Sequence, residues 1–79
     1  MRLILLGTDG CHLCEEAGLL IKEALPNIDV ELIDIAEQEH WQADYAVHIP
    51  VLLDLDSQKE LVWRFDKEDV LRFIEGVQT

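Results

Sequence analysis

Hydrophobic residues fall along the chain in blocks whose spacing predicts an α/β fold. The first block runs from Leu3 to Leu6 without interruption and stops at Gly7, a pattern typical of a strand in a sheet covered on both faces. The next apolar residues recur at helical spacing, namely Leu13, Ala17, Leu20, Ile21 and Ala24. Pro26 and Asn27 then end the helical pattern. We therefore expect a central strand followed by an amphipathic helix.

The middle of the chain predicts a second strand and a short helix. Residues Ile28 to Ile35 are rich in branched side chains and carry acidic residues between them, as in a less deeply covered strand. Strand, helix and strand in this order imply a right-handed parallel crossover. Residues Ala36 to Ala46 are more polar and predict a short helix, in which we expect Trp41 and Tyr45 to pack on the sheet rather than bind a ligand.

The last third of the chain predicts a hairpin and a final helix. Two apolar runs, Val51 to Leu55 and Glu60 to Phe65, flank the polar turn Asp56 to Lys59, as in an antiparallel pair of strands. Asp66 is suited to cap the helix that follows. Its apolar stripe consists of Val70, Leu71, Phe73, Ile74 and Val77.

Length and charge limit the possible functions. The 79 residues, of which 49% are hydrophobic, support one small core, so we expect a single domain over residues 1–79. The apolar run after Met1 is too short for a signal peptide and lacks a cleavage site, and no stretch is long enough to cross a bilayer. A formal net charge of -11 opposes binding to phosphate backbones or anionic membranes. We expect a soluble chain with neither nucleic acid nor membrane as partner.

The chemistry of the chain is concentrated in the stretch from Thr8 to Cys14. It contains the only two cysteines, Cys11 and Cys14, at the start of the first predicted helix. At this spacing the two sulfurs lie on one face of the helix, where they can join or hold a soft metal. The unpaired backbone N–H groups and the positive dipole at a helix start favour a thiolate. We therefore predict Cys11 as the nucleophile and Cys14 as the resolving thiol.

Other interpretations of the cysteine pair are weaker or remain open. A purely structural disulfide over so short a loop would contribute only about 2 kcal/mol. Two unreactive core cysteines remain a second alternative. One pair of cysteines with scattered histidines (His12, His40 and His48) lacks the four-ligand pattern of a zinc site, whereas an iron-sulfur cluster shared by two chains remains open. The redox spacing favours a reducing compartment, and hence a cytoplasmic location.

The order of elements, together with the Cys-x-x-Cys at the first turn and Ile49-Pro50 before the third strand, resembles the glutaredoxins of the thioredoxin-fold family. The likeness is greatest to short bacterial glutaredoxin-like proteins. It implies a four-stranded mixed sheet in the order 2-1-3-4, with the first and last helices on one face and the short middle helix on the other. It also implies a thiol-disulfide oxidoreductase that cycles Cys11 and Cys14.

The resemblance further implies where substrate would bind. A cis Ile49–Pro50 bond is expected against the cysteine pair, with backbone groups of His48 and Ile49 free to pair with an extended substrate. Asp66 corresponds to an aspartate that helps these proteins hold glutathione. The expected partners are protein disulfides or glutathione mixed disulfides. The chain itself is expected to be a monomer. No cofactor is required, and glutathione is a candidate reductant.

The chain departs from the glutaredoxin pattern around the cysteines and after the fourth strand. His12 and Leu13 replace the usual Pro-Tyr, and Asp9 precedes the motif where a lysine is usual. Arg64 and Phe65 replace a pair of glycines. The loss of positive charge and of the glycines leaves a second hypothesis, a thioredoxin-fold module that binds a protein, a metal or an iron-sulfur cluster with little turnover.

His12 adjoins the predicted nucleophile and has two interpretations. When protonated it would stabilise the Cys11 thiolate. Otherwise it is a solvent-facing histidine without a role. Arg64 or Lys67 could supply the missing positive charge, but an exposed basic residue at a strand end is more often solvated, so neither is predicted as a site.

Overall fold

A computed structural model describes residues 1–37 and 48–78 of the chain. In chain order the elements are β1 (Leu3–Gly7), α1 (His12–Ala24), β2 (Glu31–Asp34), a 3₁₀ turn (Ile35–Glu37), β3 (Val51–Asp54), β4 (Glu60–Val62) and α2 (Lys67–Gln78). Within these two segments, neither helix has the length and apolar character needed to span a bilayer.

The four strands form one mixed sheet in the order β2-β1-β3-β4. Strand β1 lies parallel to β2 and antiparallel to β3, so that Leu5 stands between Leu32 and Leu52. Strand β4 completes the predicted antiparallel hairpin with β3. The α/β class, the strand order and the interior position of β1 are confirmed. The continuous apolar run predicted this position because an interior strand needs apolar side chains on both of its faces.

Alternating residues of β1 enter two separate hydrophobic clusters. Leu3 and Leu5 face the layer formed by α1 and α2, whereas Ile4 and Leu6 face the opposite side, where Ile35 also packs. The buried members of the helix-side cluster are Leu3, Leu5, Ala17, Ile21, Leu25, Leu52, Phe65, Val70 and Ile74. Both long helices therefore lie on one face, as predicted. The short helix expected over Ala36 to Ala46 falls almost wholly in 38–47, outside the described residues, together with Trp41 and Tyr45.

Three strands are shorter than the sequence predicted, and the smallest difference is in β3, which ends at Asp54 rather than Leu55. Strand β2 begins at Glu31 rather than Ile28, because the chain is still turning there: the Ile28 N–H donates to the Leu25 carbonyl at 3.2 Å. Strand β4 ends at Val62 rather than Phe65. Phe65 is nevertheless buried. The apolar pattern therefore predicted the burial of Phe65 correctly, but its place in a strand wrongly.

Most residues of the two predicted apolar stripes pack on the helix-side core, and one residue of each stripe is exposed. Helix α1 buries Ala17 and Ile21, which are four residues apart and therefore lie on the same face. Leu13, predicted on this stripe, is 44% exposed, and Leu71 of α2 is 47% exposed. The expectation that Leu13 and Leu71 are buried was wrong. A hydrophobic side chain shows that burial is possible, but the small sheet covers only part of each helix surface.

Candidate active site

The loop from β1 to α1 holds the cysteines at the carboxyl end of β1. Gly10 has a φ of 75°, in the left-handed region that residues with a Cβ rarely adopt. Cys11 follows in an extended conformation, with φ of -93° and ψ of 107°, and is the N-cap of α1. The helix begins at His12. Gly10 thus provides the bend that places a cysteine at the first turn of the helix.

The Cys11 sulfur occupies the position in which a capping oxygen usually lies. Its Sγ accepts a hydrogen bond from the backbone N–H of Cys14 at 3.2 Å. The Cys11 carbonyl accepts the N–H of Glu15 at 3.1 Å, which starts the helical pattern. Backbone N–H groups at a helix start have no partner within the helix, so a thiolate at this position would receive both a hydrogen bond and the favourable end of the dipole.

The two cysteines are joined in the structure as a disulfide, with their Cα atoms 5.2 Å apart. Both side chains are half-buried. What distinguishes Cys14 is its neighbour: a Cβ placed on Gly7 would lie 3.1 Å from both the Cβ and the Sγ of Cys14. Cys14 therefore packs directly on the end of β1.

His12 faces solvent and a carboxylate. Its side chain is 95% exposed, and its Nδ1 lies 3.8 Å from the Oε2 of Glu15. Asp9 is also exposed. The negative charges of Asp9 and Glu15 oppose the field of the helix end near the Cys11 sulfur. A contribution of His12 to the thiolate stays a prediction.

Pro50 lies at the same end of the sheet as the cysteine loop. The Ile49–Pro50 peptide bond is cis, as predicted. Leu6 pairs with Val51 in the antiparallel ladder. The next residues along these strands, Gly7 and Pro50, are therefore neighbours at the end of the sheet on which Cys14 packs. Direct contact between Pro50 and the sulfurs stays a prediction.

The other two residues of the predicted substrate edge differ in their surroundings. His48 is exposed, whereas Ile49 is half-buried and packs against the cluster on the side of the sheet opposite the helices. Pro50 is fully buried, and its carbonyl accepts the N–H of Trp63 at 3.1 Å. The packing of Ile49 and Pro50 fixes this segment, and its role in binding an extended substrate stays a prediction.

Asp66 caps α2, as the sequence predicted. Its Oδ1 accepts the N–H of Asp69 at 2.8 Å, and the Oδ2 of Asp69 accepts the N–H of Asp66 at 3.0 Å, so each carboxylate satisfies the other's backbone. The hydrogen bond from the Asp66 backbone, followed by that from the Arg72 side chain, lowers the pKa of Asp69 below its usual value. The Asp66 carboxylate therefore has a structural role, and its predicted role in holding glutathione stays a prediction.

Asp54 was not predicted from the sequence, and its carboxylate is the one buried charged group of the described core. It is 1% exposed and accepts the N–H groups of Arg2 at 2.8 Å and Ser57 at 3.0 Å. The hydrogen bond from the Ser57 side chain, ahead of those from backbone N–H groups, outweighs burial and lowers the pKa of Asp54 to about 2. The available signal was an aspartate inside an apolar run with a serine three residues later.

Asp54 lies at the end of the sheet opposite the cysteines, because it pairs with Leu3 at the start of β1. It joins the N-terminal segment to the β3–β4 turn. No group of three or more metal-ligating side chains occurs in the part of the chain that the structure describes. Among the described residues, the cysteine pair is the predicted reactive centre.

An open groove of about 1050 Å³ runs between α1 and β2. Gly7 and Cys14 line one part of it, and Leu19 and Leu32 line another. Both leucines are largely exposed. The groove therefore combines apolar surface with access to the side of the cysteine pair.

Comparison with known proteins identifies the family. A family model described as a glutaredoxin-like domain (DUF836) matches residues 2–75. The chain belongs to this glutaredoxin-like family. No curated protein matches it. The resemblance inferred from the cysteine motif and the distant proline is confirmed.

Solved structures share the fold of this glutaredoxin-like chain. Protein XcR50 from X. campestris is similar with a TM-score of 0.83 and 25% identity, over 95% of this chain and 97% of the other. Protein Ne2328 from Nitrosomonas europaea is similar with a TM-score of 0.76 and 29% identity, over 91% of this chain and 88% of the other. Thioredoxin 1 from Thermosipho africanus is similar with a TM-score of 0.66 and 24% identity, over all of both chains. This likeness supports the thioredoxin-like fold alone.

Proposed function

We propose that this glutaredoxin-like chain is a thiol-disulfide oxidoreductase that cycles Cys11 and Cys14 between dithiol and disulfide. The observation that carries the proposal is the position of Cys11 as the N-cap of α1, with its sulfur accepting the Cys14 N–H and within bonding distance of the Cys14 sulfur. The same sulfur can therefore exist as a stabilised thiolate or as half of a disulfide. Both states are needed for a redox cycle.

The reaction begins with the dithiol form and a substrate disulfide. The Cys11 thiolate attacks one substrate sulfur, forming a mixed disulfide and releasing the other sulfur as a thiolate, which takes up a proton. The Cys14 thiolate then attacks the Cys11 sulfur and releases the second substrate thiolate. The substrate gains two electrons and two protons, and the cysteine pair becomes the disulfide. A second dithiol, or two molecules of glutathione, reduces the pair again.

We place substrate at the edge formed by His48, Ile49 and Pro50. Exposed His48 next to a fixed Ile49 and Pro50 suits an extended segment that pairs through its backbone, because such pairing depends little on the substrate's side chains. Protein disulfides and glutathione mixed disulfides are the proposed substrates of a monomer in the cytoplasm. No cofactor is required in this scheme.

Glutathione is proposed as a reductant rather than as a tightly held ligand. The Asp66 carboxylate already accepts a backbone hydrogen bond in the helix cap, and Asp9 places negative charge beside the cysteine loop. An anionic tripeptide would be repelled by that charge. The surroundings therefore favour a protein disulfide over glutathione as the better-bound substrate.

Two single substitutions test the proposal. Cys11→Ser should lower the reduction of a protein disulfide by about two orders of magnitude or more, because the attacking thiolate is lost. Cys14→Ser should retain the first attack and accumulate a mixed disulfide on Cys11, detected by mass spectrometry. Full activity in Cys11→Ser would contradict the proposal.

The groove between α1 and β2 favours a second candidate, a module that binds a partner protein with little turnover. The exposed Leu19 and Leu32 are the specific observation behind it. The two candidates separate in a chain that carries both Cys11→Ser and Cys14→Ser. A partner captured equally well by this double variant, together with a wild-type chain that reduces no disulfide, would favour the module.

A further inference from the structure

Gly7 lies where a side chain would collide with the redox pair. A Cβ added at Gly7 would be 3.1 Å from both the Cβ and the Sγ of Cys14, closer than the 3.5 to 4.0 Å at which carbon atoms contact favourably. Gly18 provides the contrast, because a Cβ there would approach the Leu5 side chain at an ordinary 3.9 Å. Of these two glycines, only Gly7 leaves space that Cys14 uses.

The backbone does not explain the glycine at this position. Gly7 is the last residue of β1 and pairs with Asp34 of β2, so it has the extended conformation that any residue can adopt. The left-handed glycine in this region is Gly10. Gly7 is also buried, and its strand is held by neighbours on both sides. The strand therefore has little freedom to move away from an added methyl group.

We propose that Gly7 is a positioning residue, which leaves the space that the Cys14 sulfur needs in order to join Cys11. In the disulfide the Cys14 sulfur is tethered and has a single position. In the dithiol it can turn about the Cα–Cβ bond into another staggered rotamer. This rotation relieves the contact with the sulfur, whereas the contact with the Cβ of Cys14 is present in both states. Because only the disulfide keeps the contact with the sulfur, a methyl group at Gly7 disfavours the disulfide more than the dithiol. The inference uses the cysteine pair of the proposed function, but it concerns the balance of its two states rather than its substrate.

The consequence is a change in a balanced equilibrium. The protein disulfide and two molecules of glutathione form the dithiol and one glutathione disulfide, with two electrons and two protons transferred to the protein. Gly7→Ala should shift this equilibrium towards the dithiol by about tenfold or more, which corresponds to a reduction potential about 30 mV more positive. Gly18→Ala should leave the equilibrium within about twofold of wild type, since its methyl group meets no sulfur.

The test equilibrates wild type, Gly7→Ala and Gly18→Ala in glutathione buffers of graded ratio. The dithiol fraction is then trapped with an alkylating agent and measured by mass spectrometry. A shift towards the dithiol in Gly7→Ala alone supports the inference. An equal shift in both variants, no shift in either, or a shift of Gly7→Ala towards the disulfide overturns it.

A second measurement separates this role from a general loss of stability. Thermal unfolding of the oxidised and reduced forms should show that Gly7→Ala destabilises the oxidised form more than the reduced form. This includes the case in which only the reduced variant folds. Equal destabilisation of both forms would overturn the inference. If wild type reduces no substrate, the proposed function fails, yet the comparison of the two forms still decides the role of Gly7.

Discussion

The two ends of the β1–β3 pair each carry a polar group, and these two groups differ in exposure and in hydrogen bonding. At the Gly7 end, the Cys11 sulfur is half-buried and accepts one backbone N–H, which leaves it accessible for exchange with another sulfur. At the Leu3 end, the Asp54 carboxylate is almost completely buried and accepts N–H groups from two separate segments. The pKa of Asp54 is lowered to about 2, and the carboxylate that carries it joins these two segments through its hydrogen bonds. The buried carboxylate therefore has a structural role, whereas the accessible sulfur is the candidate reactive group.

The largest effect should come from removing a reactive group without changing the fold. Cys11→Ser should reduce activity on a protein disulfide by about two orders of magnitude or more, while Asp54→Asn should leave the activity of the folded protein within about twofold. The measurement is the initial rate at a temperature where both variants are folded. A large loss of activity in folded Asp54→Asn would break the distinction between the two ends.

Stability should show the reverse order. Asp54→Asn should lower the free energy of unfolding by about 1 to 3 kcal/mol, because an amide cannot accept from both Arg2 and Ser57 without turning its own donors towards one of them. The matched control is Asp56→Asn at an exposed carboxylate that pairs with the N-terminal ammonium at 3.0 Å, for which about 1 kcal/mol or less is expected. Urea unfolding of the oxidised forms compares them. An equal loss of unfolding free energy in the two variants would contradict the larger structural role of Asp54.

The pH dependence of stability sharpens the role of Asp54. Its pKa is lowered from 3.8 to about 2 in the folded chain, so the unfolded chain takes up the proton first as the pH falls. The stabilisation is fully present above about pH 4 and is lost as the pH decreases through about 2. The difference in unfolding free energy between wild type and Asp54→Asn should therefore shrink over this interval. A difference that stays constant from neutral pH down to about pH 2 would contradict the assignment.

The order of strands and helices could be predicted because burial leaves a direct trace in apolar spacing. The continuous run of β1 and the helical spacing of Ala17 and Ile21 specify which faces are covered. The limits of β2 could not be predicted in the same way. Ile28 and Val30 pack against the core from outside the ladder, and their side chains look the same in sequence as those of a strand.

The cysteine pair was easier to predict than the contacts that position it. The cysteine pair follows from a motif that is local in sequence, and the cis bond before Pro50 follows from the family resemblance. Asp54 and Gly7 act on residues distant in the chain or across a turn. An aspartate in a strand or a glycine at its end has many ordinary explanations, and only the three-dimensional contacts select one of them.

A smaller effect is expected at the cap of α2, where the two suggested roles of Asp66 can be separated. Asp66→Ala should cost about 1 kcal/mol of stability, because Asp69 loses the acceptor of its N–H. Asp66→Asn keeps a capping oxygen and should change stability by only a few tenths of a kcal/mol. A lower rate with glutathione in Asp66→Asn, without a change in stability, would assign the carboxylate to glutathione binding. Unchanged rates with glutathione in both variants would show that the Asp66 carboxylate acts only as the helix cap.

The smallest effect concerns the charges around Cys11. Asp9→Asn removes a negative charge near the loop and should move the pH at which Cys11 reacts downwards by less than about one unit, since exposed charges are screened by solvent. Glu75→Gln, an exposed carboxylate on α2, is the control and should change nothing. Alkylation rates at low salt give the measurement. An upward shift in Asp9→Asn would contradict this account of the loop.

The central claim is that the start of α1 makes Cys11 the reactive thiol, and the rate of alkylation of each cysteine against pH tests it most directly. The reduced chain is treated with iodoacetamide from pH 4 to 10, and peptide mass spectrometry separates Cys11 from Cys14. We expect Cys11 to react first, with its half-maximal rate below the value of about pH 8.5 for a free cysteine. Faster reaction of Cys14, or equal rates with a midpoint at or above that value, would contradict the claim.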